Sequence, residues 1–183
     1  ALLHAALADA VITSDDLALA EAHGTGTSLG DPIEVRSLSE AVLAPRVGAG
    51  ARCLALSSVK ASIAHGESTA ALSGLLKLAC ALECASAPPN AQLRMLNPHV
   101  ESAVRGALCA LSTQPAASDA DGDVLQGGVS SFGYSGTIAH AVLRVAVGAA
   151  ASVARVRLVF RRRAFAWREA AHPLARRRLP STE

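Results

Sequence analysis

The stretch Glu21-Ala22-His23-Gly24-Thr25-Gly26-Thr27-Ser28-Leu29-Gly30-Asp31-Pro32-Ile33-Glu34 leaves a chain few ways to fold. The apolar run from Leu17 to Ala22 that feeds it reads as a buried strand, and that strand runs into a histidine. Gly24, Gly26 and Gly30 follow with Thr25 and Thr27 between them, so the loop carries little side-chain bulk. Asp31-Pro32-Ile33-Glu34 then reads as a helix start, with Asp31 as N-cap, Pro32 at the first helical position and Glu34 closing a capping box. Strand, glycine loop and helix together hold a titratable ring at a strand tip, which is how a reactive group is presented to a substrate.

The same arrangement occurs twice more. A strand from Cys53 to Ser57 leads into Ser58-Val59-Lys60-Ala61-Ser62-Ile63-Ala64-His65-Gly66, which carries a lysine and a second histidine. A strand from Val124 to Ser131 leads into Phe132-Gly133-Tyr134-Ser135-Gly136-Thr137, and Ile138 to Val145 reads as the adjacent strand. Between these lie helical stripes. Leu2, Leu3, Ala6 and Leu7 form one, and Val35, Leu38, Val42 and Leu43 form another that ends near Pro45. Ser68 can cap a third, whose face is Leu72, Leu75, Leu76, Ala79 and Leu82 and which stops before Pro88-Pro89. Ala87 to Pro98 reads as irregular, Arg105 to Leu111 as a strand, and Gln114 to Gly122 as a surface loop. Strands alternating with helices point to a layered α/β fold.

Composition narrows the class. Hydrophobic residues make up 51% and charged residues 17%, so the chain is globular; with aromatics at 3% its core must be built from Ala, Leu and Val. No apolar run is long enough for a membrane span, and no secretory signal opens the chain. Cys53, Cys80, Cys84 and Cys109 have neither CxxC spacing nor disulfide density, which points to a reducing, cytoplasmic setting and to no metal site. The chain opens inside a helical pattern without an initiator Met and reads as a piece of something longer. Charge is divided: from Ser152 onward nine Arg stand against two Glu, whereas the first 151 residues carry a net charge of −5. The tail interleaves Phe160, Phe165 and Trp167 with its arginines, and we expect it to dock on the acidic body rather than on nucleic acid.

Taken in order, the three loop segments resemble the C-terminal half of a β-ketoacyl synthase, the condensing domain of polyketide and fatty acid synthases. The family signatures are EAHGTGT-x-LGDPIE, matched here residue for residue, then SVK-S-N-I-G-H, and F-G-x-S-G-T-N-A-H. The resemblance covers about residues 1–146, with 147–183 as a basic segment following the synthase. It implies half of a thiolase-like α/β/α/β/α fold. It also implies decarboxylative condensation of a malonyl thioester with a cysteine-bound acyl chain. His23 and His65 would then donate to the thioester carbonyl, and Lys60 would organise charge near the nucleophile. Thr25 and Thr27 would meet the phosphopantetheine arm, with Phe132 and Gly133 at the acyl side. No cofactor is bound by this segment, since the substrate arrives on the phosphopantetheine of an acyl carrier protein. The other implied partners are the N-terminal half of the synthase and, in the parent, a second copy as a homodimer.

Each assignment has a plainer counterpart. Thr25 and Thr27 can bond their own loop, Lys60 can be a solvated loop lysine, and an isolated Phe132 suits a core. His140 and Ile138 read as structural. Ser62 and Ile138 stand where the family has Asn, and Ala64 where it has Gly. Ile138 offers no amide to its loop, and Ala64 narrows the approach to His65. None of the four cysteines lies in the family's T-A-C-S-S-type turn, so the segment alone should not condense anything and should leave a large apolar face uncovered. Two other functions share parts of the pattern. One is a non-catalytic scaffold half-domain. The other is a dinucleotide site on Gly24-x-Gly26-x-x-x-Gly30, against which Asp31 and Glu34 would repel a pyrophosphate. A hydrolase elbow at Gly133-Tyr134-Ser135-Gly136 fails on spacing.

Overall fold

The computed structural model describes residues 1–48, 50–118 and 124–146; the basic segment 147–183 lies outside them. At its centre is β1 (Leu17–Glu21), buried over its whole length. It pairs in parallel with β2 (Leu54–Ser57) on one side and β6 (Val124–Phe132) on the other. β4 (Cys109–Ala110) adds a parallel edge to β2, and β7 (Ile138–Ala146) closes the far edge antiparallel to β6. The order is β4-β2-β1-β6-β7, and β3 (Ser86–Ala87) and β5 (Ala116–Ala117) form a separate antiparallel pair. A central parallel strand must be apolar on both faces, which is why Leu17-Ala18-Leu19-Ala20 runs unbroken rather than alternating.

Each face of the sheet has its own core. One is covered by α1 (Leu2–Asp9), by α2 (Gly30–Leu38) with the π-helical turn Ser39–Leu43 that continues it, and by α5 (Pro98–Val104); Leu7, Leu17, Val42, Leu43, Leu54 and Val100 meet there. The other is covered by α4 (Ala70–Glu83), whose Leu78 and Leu82 pack on Leu19, Leu125 and Val129. The result is helices, sheet and helices in three layers. Side chains of this size keep the layers close, and burying each Leu contributes about 1.5–3 kcal/mol.

Four expectations need correction. The helix capped by Ser68 begins instead after a 3₁₀ turn at Glu67–Thr69, with Thr69 at the N-cap. The expected strand Arg105–Leu111 shrinks to Cys109–Ala110, behind the unforeseen helix α5. There Pro98 fills the first turn, and Asn97 caps by accepting the His99 N–H at 2.9 Å. The loop Gln114–Gly122 holds the short strand β5 in its described part. The capping box at Asp31 and Glu34 does not form, because both carboxylates turn back on the loop that precedes their helix.

Gly127 and Gly128 on β6 have close neighbours on both faces of the strand. A Cβ on Gly127 would lie 2.7 Å from Leu78 Cδ1 and 3.2 Å from the Leu19 carbonyl oxygen. On the opposite face a Cβ on Gly128 would lie 2.7 Å from His140 Nε2. The His140 ring therefore reaches over Gly128 of the neighbouring strand, with Nδ1 3.0 Å from Ser130 Oγ, and burial pushes its pKa below the usual value. Because the Leu19 carbonyl belongs to the central strand and cannot swing aside, Gly127→Ala should destabilise the domain by about 1–3 kcal/mol. A lowered urea midpoint at unchanged slope is the expected readout.

Candidate functional site

The loop after β1 is tied down by carboxylates from the helix that follows it. Helix α2 starts at Gly30, with Leu29 at the N-cap, and the Gly30 N–H donates to Thr27 Oγ1 at 3.0 Å. The Asp31 and Glu34 side chains are thereby left to turn back on the loop instead of capping their own helix. Glu34, 6% exposed, accepts the N–H groups of His23 at 2.6 Å and Gly24 at 2.9 Å. Asp31 accepts the Gly26 N–H at 3.1 Å. The amides that a pyrophosphate would need are therefore already taken by the protein's own anions, which argues against a dinucleotide site. Gly24 sits at φ +47°, and a Cβ there would lie 2.7 Å from Ser58 Cβ, so the first loop crosses the second with no room for a side chain.

The second loop is held from two sides. Asn90, in the segment read as irregular, accepts the Ser58 N–H at 3.1 Å and donates to the Leu56 carbonyl at 2.9 Å. Glu21, the last residue of β1 and 2% exposed, accepts the Val59 N–H at 2.6 Å and the Lys77 Nζ at 2.6 Å. Val59 is the N-cap of the short helix α3 (Lys60–Ile63), so Lys60 begins where Glu21 ends. Helix α3 stops at Ala64, which adopts φ 63°, ψ −174°, a region that is essentially glycine's. The Gly-to-Ala departure seen in the sequence thus stores strain at the residue before His65.

The three loops converge on His23. Its ring meets the His65 ring edge-on, centroids 5.6 Å apart at 90°, and lies almost parallel to the Phe132 ring at 5.6 Å and 17°. Burial lowers the His23 pKa, and the neighbouring Lys60 ammonium lowers it further, so the imidazole is neutral near pH 7. Its Nδ1 is buried without a partner. His65 Nδ1 accepts the Glu67 N–H at 3.3 Å, which leaves the proton of a neutral His65 on Nε2. Burial also lowers the Lys60 pKa, against the opposing pull of Glu21 and Glu34. Desolvation raises both of those carboxyls above the usual range.

A groove of about 700 Å³ runs beside these groups, lined by Thr25, Thr27, Lys60, His65, Asn90 and Leu93 among others. Phe132 lies outside it and lines a second cavity of about 270 Å³ with Ser130 and His140. The Thr25 and Thr27 hydroxyls stand 3.5 Å apart in the groove wall. The Gly133 N–H closes its own turn on the Thr137 carbonyl at 2.7 Å. The cysteines offer no nucleophile here: Cys53, Cys80 and Cys84 are exposed, and burial pushes the Cys109 thiol up to about 11. Among the described residues no group of three His, Cys, Asp or Glu could hold a metal ion, and no helix is long and apolar enough to cross a membrane.

Sequence reading missed four residues: Glu21, Glu34, Lys77 and Asn90. Glu21 and Glu34 were visible in the motif, and an acidic residue at the end of an apolar strand was the available signal. Nothing local marks Lys77 or Asn90, because each acts across tens of residues.

Comparison with known proteins bears on the family and the fold. Residues 1–94 match the family model "Beta-ketoacyl synthase, C-terminal domain". The chain is 37% identical over 144 residues to polyketide synthase ThaG of Burkholderia thailandensis, covering 79% of this chain and 2% of that protein. It is 41% identical over 150 residues to a phenolphthiocerol/phthiocerol polyketide synthase of Mycobacterium tuberculosis, covering 80% and 6%. Among solved structures, the oxazolomycin ketosynthase domain OzmH KS7 of Streptomyces albus superposes with a TM-score of 0.71 at 30% identity, covering 79% of this chain and 26% of that one. The ketosynthase from module 6 of the Bacillus subtilis bacillaene synthase gives 0.67 at 31%, covering 75% and 24%. The chain therefore spans a few per cent of these synthases and about a quarter of the ketosynthase domains it superposes on.

Two variants test the loop anchors. Ala64→Gly relieves a backbone strain of about 1–3 kcal/mol, less the entropy that glycine adds to the unfolded chain, so the thermal midpoint should rise. Glu34→Gln turns one acceptor oxygen into a donor facing an N–H. Hydrogen exchange at the His23 and Gly24 amides should then quicken at least about tenfold, while β6 amides stay protected.

Proposed function

The chain belongs to the β-ketoacyl synthase family, as its C-terminal domain, and from that membership we propose that it supplies the histidine and lysine side of a polyketide-synthase condensing site. The observation that carries the proposal is the meeting of the three loops: His23 within ring contact of both His65 and Phe132, with Lys60 lowering its proton affinity. The substrate is a malonyl thioester on the phosphopantetheine arm of an acyl carrier protein, laid in the groove along Thr25 and Thr27. Loss of carbon dioxide leaves the bonding electron pair in the thioester enolate. N–H donors on His23 and His65 face its oxygen. The enolate carbon then attacks the acyl thioester on a cysteine, whose thiolate leaves. A neutral His23 imidazole suits this role, because it offers a fixed donor without having to shed a proton first.

The cysteine belongs to an N-terminal half of the synthase, and this acyltransferase is inactive without it. Leu72 and Leu76, one turn apart on α4 and each 58% exposed, support a large neighbour on that face. The working assembly is a homodimer in the cytoplasm. Phe132 and Gly133 border the acyl chain, and the basic segment 147–183 links onward.

The test uses the full-length protein and two assays, acyl loading onto the cysteine and carbon dioxide release from a malonyl carrier. His23→Ala should slow release about 10²–10³-fold while loading persists, since loading needs no donor at the enolate oxygen. Loss of loading with release retained would reverse the roles. If the unmutated protein does neither, a scaffold half-domain replaces the enzyme.

A further inference from the structure

Against fifteen arginines the chain has two lysines, Lys60 and Lys77. Both stand beside the same buried carboxylate. Lys77 Nζ lies 2.6 Å from Glu21 Oε2 and donates to Ser57 Oγ at 2.7 Å. Gly74, one turn earlier on α4, makes the room: a Cβ there would lie 3.3 Å from Glu21 Cγ. Lys60 follows directly on Val59, whose N–H holds the other Glu21 oxygen. The second buried carboxylate, Glu34, already holds the His23 and Gly24 amides, one on each oxygen. Lys77 takes the ion pair with Glu21, and among the described residues the Lys60 ammonium pairs with neither carboxylate, although both act on its charge.

We propose that Lys77 is a positioning residue: by claiming Glu21 it keeps Lys60 unpaired and turned to the groove beside His65. The proposal rests on the reading of Lys60 as a residue of the condensing site. A lysine fits this task because one carboxylate oxygen and one hydroxyl suit a compact ammonium, whereas a planar guanidinium needs a wider opening. A buried carboxylate stripped of its cation recruits the nearest mobile one, since leaving it unpaired is strongly unfavourable. Here that cation is Lys60. The charged and titratable groups around Lys60 are Glu21 from β1, Glu34 and Asp31 from α2, Lys77 from α4, and the His23 and His65 rings. Only Glu21 would change its partner on loss of Lys77.

The experiment is pH-dependent acetylation of Lys60 by acetic anhydride in the full-length protein, read by mass spectrometry of the Lys60 peptide, with circular dichroism confirming the fold. In Lys77→Met, Lys60 pairs with Glu21, so its labelling midpoint should rise by about one pH unit and its reactivity at pH 8 fall about tenfold. In the double variant Glu21→Gln, Lys77→Met no carboxylate remains to recruit it, and the midpoint should return to or below that of the unmutated protein. Lys77→Arg keeps the charge and should stay nearer the unmutated protein than Lys77→Met does. An unmoved midpoint in Lys77→Met overturns the proposal, as does a double variant that stays as high as the single one. A merely structural lysine would loosen both variants alike. If labelling behaves as expected but the unmutated protein releases no carbon dioxide, the pairing scheme stands and the proposed function falls.

Discussion

Everything near His23 depends on two glutamates that accept backbone N–H groups inside the protein. Glu34 holds the amides of His23 and Gly24; Glu21 holds that of Val59. A carboxylate taken out of water is expensive unless its lone pairs are filled, and charge-assisted bonds to amides fill them with short contacts. The two loops are therefore fixed by anions that belong to neighbouring elements. Desolvation has raised the proton affinity of both glutamates, a measure of what the surrounding donors must offset.

This arrangement fixes what the sheet has to look like. Glu21 must reach α4 while His23, two residues on, faces the second loop, so β1 has to end where it does. The loops cross at Gly24 and Ser58 with no spare volume, and α4 presents Gly74 to the carboxylate. Small residues at the crossing points let a core of Leu, Ala and Val bring three loops to one place with almost no aromatic bulk. Phe132 is the exception, and its ring is spent on His23.

Much of this was legible in the residues. The central strand, the three strand-to-loop segments and the adjacency of β6 and β7 follow from apolar runs, glycine placement and one family resemblance. Local rules failed where a side chain ignored its own helix. Asp31 and Glu34 have the spacing of a capping box, yet the amides of the loop after β1 compete for the same oxygens and win, because the tight glycine loop pairs none of them with its own carbonyls. Helix α5 was missed because its apolar stripe is short and its first residue, Pro98, read as the end of an irregular segment. Lys77 and Asn90 could not be found from any window, since their partners are set by topology alone.

The central strand has one further consequence, for the order in which the chain is made. β1 finds its first parallel partner in β2, but its other edge waits for Gly127 and Gly128, roughly a hundred residues later. During synthesis this fully buried strand therefore spends most of its early life half paired, with a row of unused amides and carbonyls open to other chains. Contacts of such long range also slow folding. Emergence of β6 from the ribosome is thus the moment at which aggregation gives way to the native sheet.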